Sequence, residues 1–229
     1  MKMGDSRHAI LMNTVLPQVP EMILEEITNF RELMIMYHSA IREVSTKLEI
    51  LNDELSIDNK NNPIQSITSR IKKPLSIVKK LQKLEKDITF DSIVNNLNDV
   101  AGIRVTCSFI DDVYRIAEML VRQDDIILIE AKDYIKDPKP NGYRSYHLII
   151  EVPVFFSNKK QWVRVEIQLR TVAMDFWASL EHQIKYKKGL EGVRDIEMEL
   201  KECADTIAQT DRRMQDIRKR IEKKLNTED

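Results

Sequence analysis

The sequence predicts an α+β protein: a mixed, mostly antiparallel sheet of about five strands, helices packed on it, and long helices flanking it at both ends. Three observations carry this. From Glu21 to Ile57 there is neither Gly nor Pro, and apolar residues recur every three to four positions, at Ile23, Leu24, Ile27, Phe30, Leu33, Met34, Tyr37, Ile41, Val44, Leu48 and Leu51. That is the spacing of one helical face. From Val100 onward the period changes to short runs rich in β-branched residues, the signature of strands. After Gly189 and Gly192 a charged helical stretch, Val193 to Leu225, closes the chain.

In chain order, Pro17 and Pro20 end an N-terminal arm, residues 1–20. A helical segment, 21–57, follows, and "SIDNKNNP" (Ser56 to Pro63) is a polar break. The core spans 58–190. Within it Pro74 opens a helix that runs through Leu75 to Asp87, because proline suits the first helical position. "FDSIVNNL" is a short helix with Asp91 expected as its N-cap. "VAGIRVTCSFI" is a strand. "DDVYRIAEMLVRQ" returns to helix, with Asp111 and Asp112 where acids suit the helix dipole. Ile126–Ala131, Tyr146–Phe156 and Trp162–Thr171 are strands, and a helix bearing Trp177 fills Thr171–Lys188. Residues 191–229 form the C-terminal helical segment.

Composition narrows the function. The 229 residues carry 36 Lys+Arg against 37 Asp+Glu. Near neutrality excludes nucleic-acid binding driven by bulk charge, so any basic site is local. No apolar run approaches the roughly 20 residues of a membrane span, and "MKMGDSRHAILMNTVLPQVP" makes a poor signal peptide. A cytoplasmic protein without membrane contact is expected. Cys107 and Cys203 lie far apart and read as two reduced thiols. There is no G-x-x-x-x-G-K-[ST] and no G-x-G-x-x-G. His8, His38, His147 and His182 have no zinc-ligand spacing with cysteine.

Four stretches hold groups suited to chemistry. In "VRVEIQLRT", Val163, Val165, Ile167 and Leu169 alternate with Arg164, Glu166, Gln168 and Arg170. Successive strand side chains point to opposite faces. The polar face therefore serves either as a solvated surface or as the floor of a site centred on Glu166. In "TSRIKKPLSIVKKLQK", Arg70, Lys72, Lys73, Lys79, Lys80 and Lys83 surround Ser76, which shares a helix face with Lys80. This is either a solvated basic face or a phosphate site at a helix N-terminus. In "LNDVAGIRV", Asp99 stands at the mouth of a strand, as a turn residue or as a ligand for a hard cation. In "KDYIKDPKPNGYRSYH", Asn141-Gly142 is a turn signal that displays Tyr143 among Lys132, Lys136, Lys139 and Arg144. Taken together, separated acids, two basic clusters and a displayed ring suit phosphoryl-type transfer, where positioning and charge neutralisation dominate.

"SRIKKPLSIVKKL", "NDVAGIRVTCSF", "KDYIKDPKPNGYRSYHLII" and "VEIQLRTVAMDFWASLEHQIKYK" occur in this order over roughly residues 60–190. They resemble the synthetase domain of the RelA/SpoT family, and the short length with flanking helices resembles its small alarmone synthetases. The resemblance implies a (p)ppGpp synthetase of the stringent response, moving the β,γ-pyrophosphate of ATP to the 3′-OH of GDP or GTP. It implies Mg²⁺ on Asp99, with Glu166 sharing the metal or deprotonating the 3′-OH. Arg70, Lys72, Ser76 and Lys80 would surround the ATP phosphates, and Arg70 and Arg104 would sandwich the adenine. Tyr143 would stack on guanine, with Asn141 at the base edge. Lys132, Lys139 and His147 would meet the acceptor phosphates, and Gln168 and Arg170 would line the site. A homotetramer is implied by the same likeness. No His-Asp dipeptide occurs, so hydrolase activity is not expected. Glu130 stands where long members carry Arg, which leaves GDP against GTP open. The rival reading is a catalytically silent module that binds nucleotide or RNA through the aromatic, basic loop. It has no need of Asp99 and Glu166 together.

Overall fold

The computed structural model describes residues 21–58, 62–188 and 194–225; the expected arm, residues 1–20, lies outside them. The chain divides into two compact units, residues 1–35 and 36–229. In the first, residues 21–35 are the opening turns of helix α1 (Glu21–Asp58). The second holds the rest of α1, the sheet and the remaining helices. There α1 buries Tyr37, Ala40, Ile41, Val44, Leu48, Leu51 and Leu55, the expected three-to-four stripe. Lys47 pairs with Asp125 at 2.7 Å, and the Ile64 N–H donates to Asn52 Oδ1 at 3.2 Å.

Five strands form one sheet: β1 (Ile64–Ile71), β2 (Ala101–Cys107), β3 (Ile127–Asp133), β4 (Tyr146–Phe155) and β5 (Lys160–Thr171). Their order is β1-β2-β5-β4-β3. The β2–β5 pair is parallel and the other three pairs are antiparallel, so the sheet is mixed and mostly antiparallel. Four strands stand where the β-rich runs put them. The fifth, β1, has no clear alternation because it is a largely exposed edge strand with a register shift between Ile64 and Ser66. An edge without a buried face imprints no period on its sequence.

Among the described residues five further helices follow: α2 (Pro74–Lys83), α3 (Phe90–Asn96), α4 (Ile110–Val121), α5 (Val172–Lys188) and α6 (Arg194–Leu225). α2 stops short of the expected Asp87. Glu85 takes a left-handed backbone (φ 54), its N–H reaches the Gln82 carbonyl, and the Lys86 N–H reaches the Leu81 carbonyl. That double bond closes a helix end in a Schellman motif. At α3 the cap is Thr89, whose Oγ1 accepts from the Ser92 N–H, and not Asp91, which lies inside the first turn.

α4 packs on β2, β4 and β5. It buries Val113, Ile116, Ala117 and Leu120, while β5 buries Val163, Val165, Ile167 and Leu169. α6 is fixed along its length. Trp177 Nε1 donates to the Leu200 carbonyl (2.9 Å) and Thr171 Oγ1 to Asp211 Oδ2 (2.6 Å). Gln215 and Arg218 meet Asp111 and Asp112 at the start of α4. Cys107 is buried and Cys203 exposed, and both are free. No helix among the described residues is long and apolar enough to cross a membrane.

Candidate functional site

Strand register turns the polar alternation of β5 into the floor of a cleft. Paired residues on neighbouring strands share a face. One rung therefore runs Arg70 (β1), Gly102 (β2), Glu166 (β5), Ile149 (β4) and Glu130 (β3). The next runs Thr68, Arg104, Gln168, His147 and Lys132. Glu166 and Gln168 thus sit on the middle strand, with Arg70 and Arg104 to one side and His147 and Lys132 to the other. Arg164, from the same alternation, turns away: its guanidinium bonds Glu151 and the Asn95 carbonyl.

Apart from Thr68, Gly102 and Arg164, these residues line a cleft of about 580 Å³, together with Asp99, Lys139, Tyr143, Arg170 and, from α5, Ala178, Glu181 and His182. Asp99 precedes β2 and receives two lysines. Lys72 Nζ donates to Oδ2 at 2.7 Å, and Lys80 Nζ pairs with Oδ1 at 2.8 Å. Burial pushes the Asp99 carboxyl up, but the Lys72 and Lys80 ammonium groups outweigh it and hold the pKa below its ordinary value. The same contest favours ionised Glu166. Burial raises it, while the His147 ring and the Gln168 amide, which donates to Oε2 at 2.8 Å, lower it further. Both carboxylates are ionised at neutral pH.

A hydrogen-bond chain crosses the His147 side of the cleft. Arg170 Nη2 donates to the Tyr143 hydroxyl at 2.6 Å. A guanidinium has only donors, so the phenol proton is free to go to His147 Nε2, 2.8 Å away. The Nδ1–H tautomer then faces Glu166 Oε1 at 3.6 Å. Lys139 stands over both the Tyr134 and Tyr143 rings, at 4.6 and 4.9 Å.

Three guanidinium groups are crowded here. Burial and then Arg170 push the Arg104 pKa down, Asp175 opposes them, and Arg70 adds to the lowering. The buried Nε atoms of Arg104 and Arg170 have no hydrogen-bond partner among the described residues. Crowded cations with spare donors favour an anionic ligand over an empty cleft.

Of the expected site residues, the structure brings Asp99, Glu166, Arg70, Arg104, Lys132, Lys139, Tyr143, His147, Gln168 and Arg170 to the cleft wall. Lys72 and Lys80 reach it through Asp99. Asn141 reaches it through Nδ2, which donates to Glu181 at 3.1 Å. Ser76 is exposed in the first turn of α2, outside the lining. Sequence reasoning missed Asp175, which pairs with Arg104 (3.4 Å) and Arg170 (3.1 Å). It also missed Glu181. Both lie in the matched "RTVAMDFWASLEH" stretch, where an acid one turn beyond an arginine is a weak signal.

Known proteins are similar to this chain in sequence and in fold. Residues 69–191 match the family model described as a region found in RelA / SpoT proteins. The GTP pyrophosphokinase YwaC of Bacillus subtilis is 41% identical over 194 residues, covering 85% of this chain and 92% of its own. Small alarmone synthetase 2 of Bacillus subtilis superposes with a TM-score of 0.74 at 43% identity, covering 82% of this chain and 98% of that one. Small alarmone synthetase 1 of the same organism, bound to its product pppGpp, gives 0.77 at 31% identity over 84% and 98%.

Proposed function

The chain belongs to the RelA/SpoT family, and we propose that its cleft holds ATP and GDP or GTP side by side and passes the β,γ-pyrophosphate of the first to the 3′-OH of the second. It is a (p)ppGpp synthetase, a GTP pyrophosphokinase. The observation that carries the division of labour is the sheet order. Glu166 and Gln168 stand on the central strand, Arg70 and Arg104 on the β1–β2 side, and His147 and Lys132 on the β4–β3 side. ATP takes the first side and the guanosine nucleotide the second.

In the transfer the 3′-oxygen forms a bond to the β-phosphorus of ATP. The bond from that phosphorus to the α–β bridging oxygen breaks, and AMP leaves. Glu166, ionised and aimed along the central rung, takes the 3′-hydroxyl proton. Arg70 and Arg104 grip the adenine with flat guanidinium faces. Lys72 and Lys80, with the first turn of α2 and Ser76, meet the triphosphate. Tyr143 stacks on guanine with Asn141 at its edge, and Lys132, Lys139 and His147 meet the acceptor phosphates. Gln168 holds Glu166 in place through their 2.8 Å bond, and Arg170 holds the Tyr143 hydroxyl.

Among the described residues no group of three or more His, Cys, Asp and Glu side chains gathers as a metal cage. Mg²⁺ does not need one, because it is bound through one or two carboxylates plus substrate phosphates. The ionised Asp99 and Glu166, both lining the cleft, fit that donor set. When bound with nucleotide, Mg²⁺ supplies charge neutralisation at the phosphates.

The test is transfer of label from γ-labelled ATP, with Mg²⁺, onto GDP or GTP in separate reactions. Labelled ppGpp or pppGpp with equimolar AMP is expected, and the ratio of rates gives the acceptor preference. Nucleotide binding without transfer would overturn the synthetase reading in favour of a binding module. We also infer a tetramer. An apolar groove between α5 and α6, with exposed Val172, Phe176 and Met214, supports contacts between copies. A light-scattering mass of one chain would sink that inference.

A further inference from the structure

The loop that carries Asn141 and Tyr143 does not stand alone; it rests on α6, which lies beyond the family-matched residues 69–191. Gly142 is buried with φ +87, and a Cβ there would come within 2.6 Å of the Ala204 Cβ. Real Cβ atoms do not approach so closely, so the loop backbone lies directly on the helix and only glycine fits. Arg144 then ties the two together. Its Nη1 donates to the Gly142 carbonyl (3.0 Å) and to the Ala204 carbonyl (3.3 Å), and its Nη2 donates to Asp205 Oδ1 (2.9 Å). The Arg144 side chain is only 15 % exposed. Inside the loop, the Gly142 N–H reaches the Lys139 carbonyl and the Lys139 N–H reaches the Tyr143 carbonyl. The turn is therefore one closed unit, and whatever holds Gly142 also holds its neighbours. α6 is itself anchored to α5 and to Thr171 at the end of β5, through Leu200 and Asp211, independently of this loop.

We propose that α6 is a working part of the acceptor site: Asp205 and the Ala204 carbonyl hold Arg144, Arg144 holds the Gly142 carbonyl, and the loop is thereby set with Asn141 and Tyr143 in place before the guanosine nucleotide arrives. This rests on the reading of Asn141 and Tyr143 as acceptor residues. Arg144 and Asp205 are positioning residues; they act through the loop and need not touch the nucleotide. A preset loop lowers the ordering cost of binding, so its loss weakens acceptor binding and leaves ATP binding intact.

The test is steady-state kinetics on the full chain, with ATP and GDP varied separately. Asp205 is half-exposed, so Asp205→Ala is expected to fold, which a thermal melt checks. It is expected to raise the KM for GDP by about fivefold, the upper scale of an ion pair at a half-exposed position. The KM for ATP and kcat at saturation should stay within about twofold. Gly142→Ala should raise the GDP KM further, and adding Ala204→Gly should recover part of that loss by removing the colliding methyl. A merely structural role produces neither the split nor the recovery. An unchanged GDP KM in Asp205→Ala, or equal rises for both nucleotides, overturns the proposal. Tyr143→Ala in the same series separates the two readings. If it raises the GDP KM while Asp205→Ala does not, the role of α6 fails alone. If Tyr143→Ala leaves the GDP KM unchanged, the acceptor reading fails and the role of α6 with it.

Discussion

Lys72 Nζ donates to Asp99 Oδ2 at 2.7 Å. With Lys80 on the other oxygen, the carboxylate proposed to hold Mg²⁺ is already neutralised by the lysines proposed to hold the ATP phosphates. The cleft therefore holds this acid and these cations against each other. With Mg²⁺ and nucleotide bound, Asp99 would hold the metal and Lys72 and Lys80 would turn to the phosphates, with little change in buried charge.

Lys72→Met removes one competitor for Asp99. The nucleotide-free protein should then bind Mn²⁺ about three- to tenfold more tightly, while the KM for ATP rises. Electron paramagnetic resonance titration with Mn²⁺ reads the first effect. Unchanged Mn²⁺ affinity would mean that Asp99 is not the ligand.

Glu166→Gln keeps the size of the side chain and removes its charge. The rate of synthesis should fall by about 10²–10⁴, the scale of a lost general base. The melting temperature should stay close to that of the parent, because Gln168 still finds an acceptor. Near-parental synthesis would remove Glu166 from the chemistry.

Asp175 bridges Arg104, proposed to meet ATP, and Arg170, proposed to serve the acceptor subsite. Asp175→Asn should raise the KM for both nucleotides, each by about threefold, because two guanidinium groups lose one shared charge. This is the opposite pattern to the Asp205→Ala split. A rise confined to one nucleotide would show that the bridge serves one subsite.

Glu85 sits at φ 54, a backbone that costs an L-residue about 1–2 kcal/mol. Glu85→Gly should stabilise the protein by about 0.5–1 kcal/mol in urea unfolding, after the entropy cost of glycine is subtracted. Destabilisation by this variant would show that the Glu85 side chain contributes more than its backbone costs.

Asp211 behaves oppositely to Asp99 and Glu166. Burial raises its pKa, against Thr171 and Arg212. A raised carboxyl keeps its proton in the folded state after the unfolded chain has lost it, so stability falls as pH rises from 3.8 through the folded value. The depressed pKa values of Asp99 and Glu166 give stability that is full above their unfolded values and lost as pH falls through the folded ones. Asp211→Asn keeps the Thr171 bond and removes only the first slope. Its stability relative to the parent should rise with pH above 3.8, read by urea unfolding across pH 3.5 to 7 (about that range suffices). A pH-independent difference would contradict the burial of Asp211.

By itself the sequence determined what covalent geometry encodes. The period of two along β5 separates Val163, Val165, Ile167 and Leu169 from Glu166, Gln168 and Arg170 whatever the strand pairs with. The three-to-four stripe of α1 and the turn at Asn141-Gly142 are local in the same sense. Four linked motifs were enough to identify the family. The tertiary structure decided which polar groups meet. Only the order β1-β2-β5-β4-β3 puts Arg104 and His147 on either side of Gln168, and no local signal specifies a parallel β2–β5 pairing. It sent Arg164 to Glu151, left Ser76 exposed, joined Asp175 to two arginines and seated Gly142 on Ala204. Those contacts link residues far apart in the chain, and their partners are chosen by how the helices pack against the finished sheet, which no short window of sequence contains.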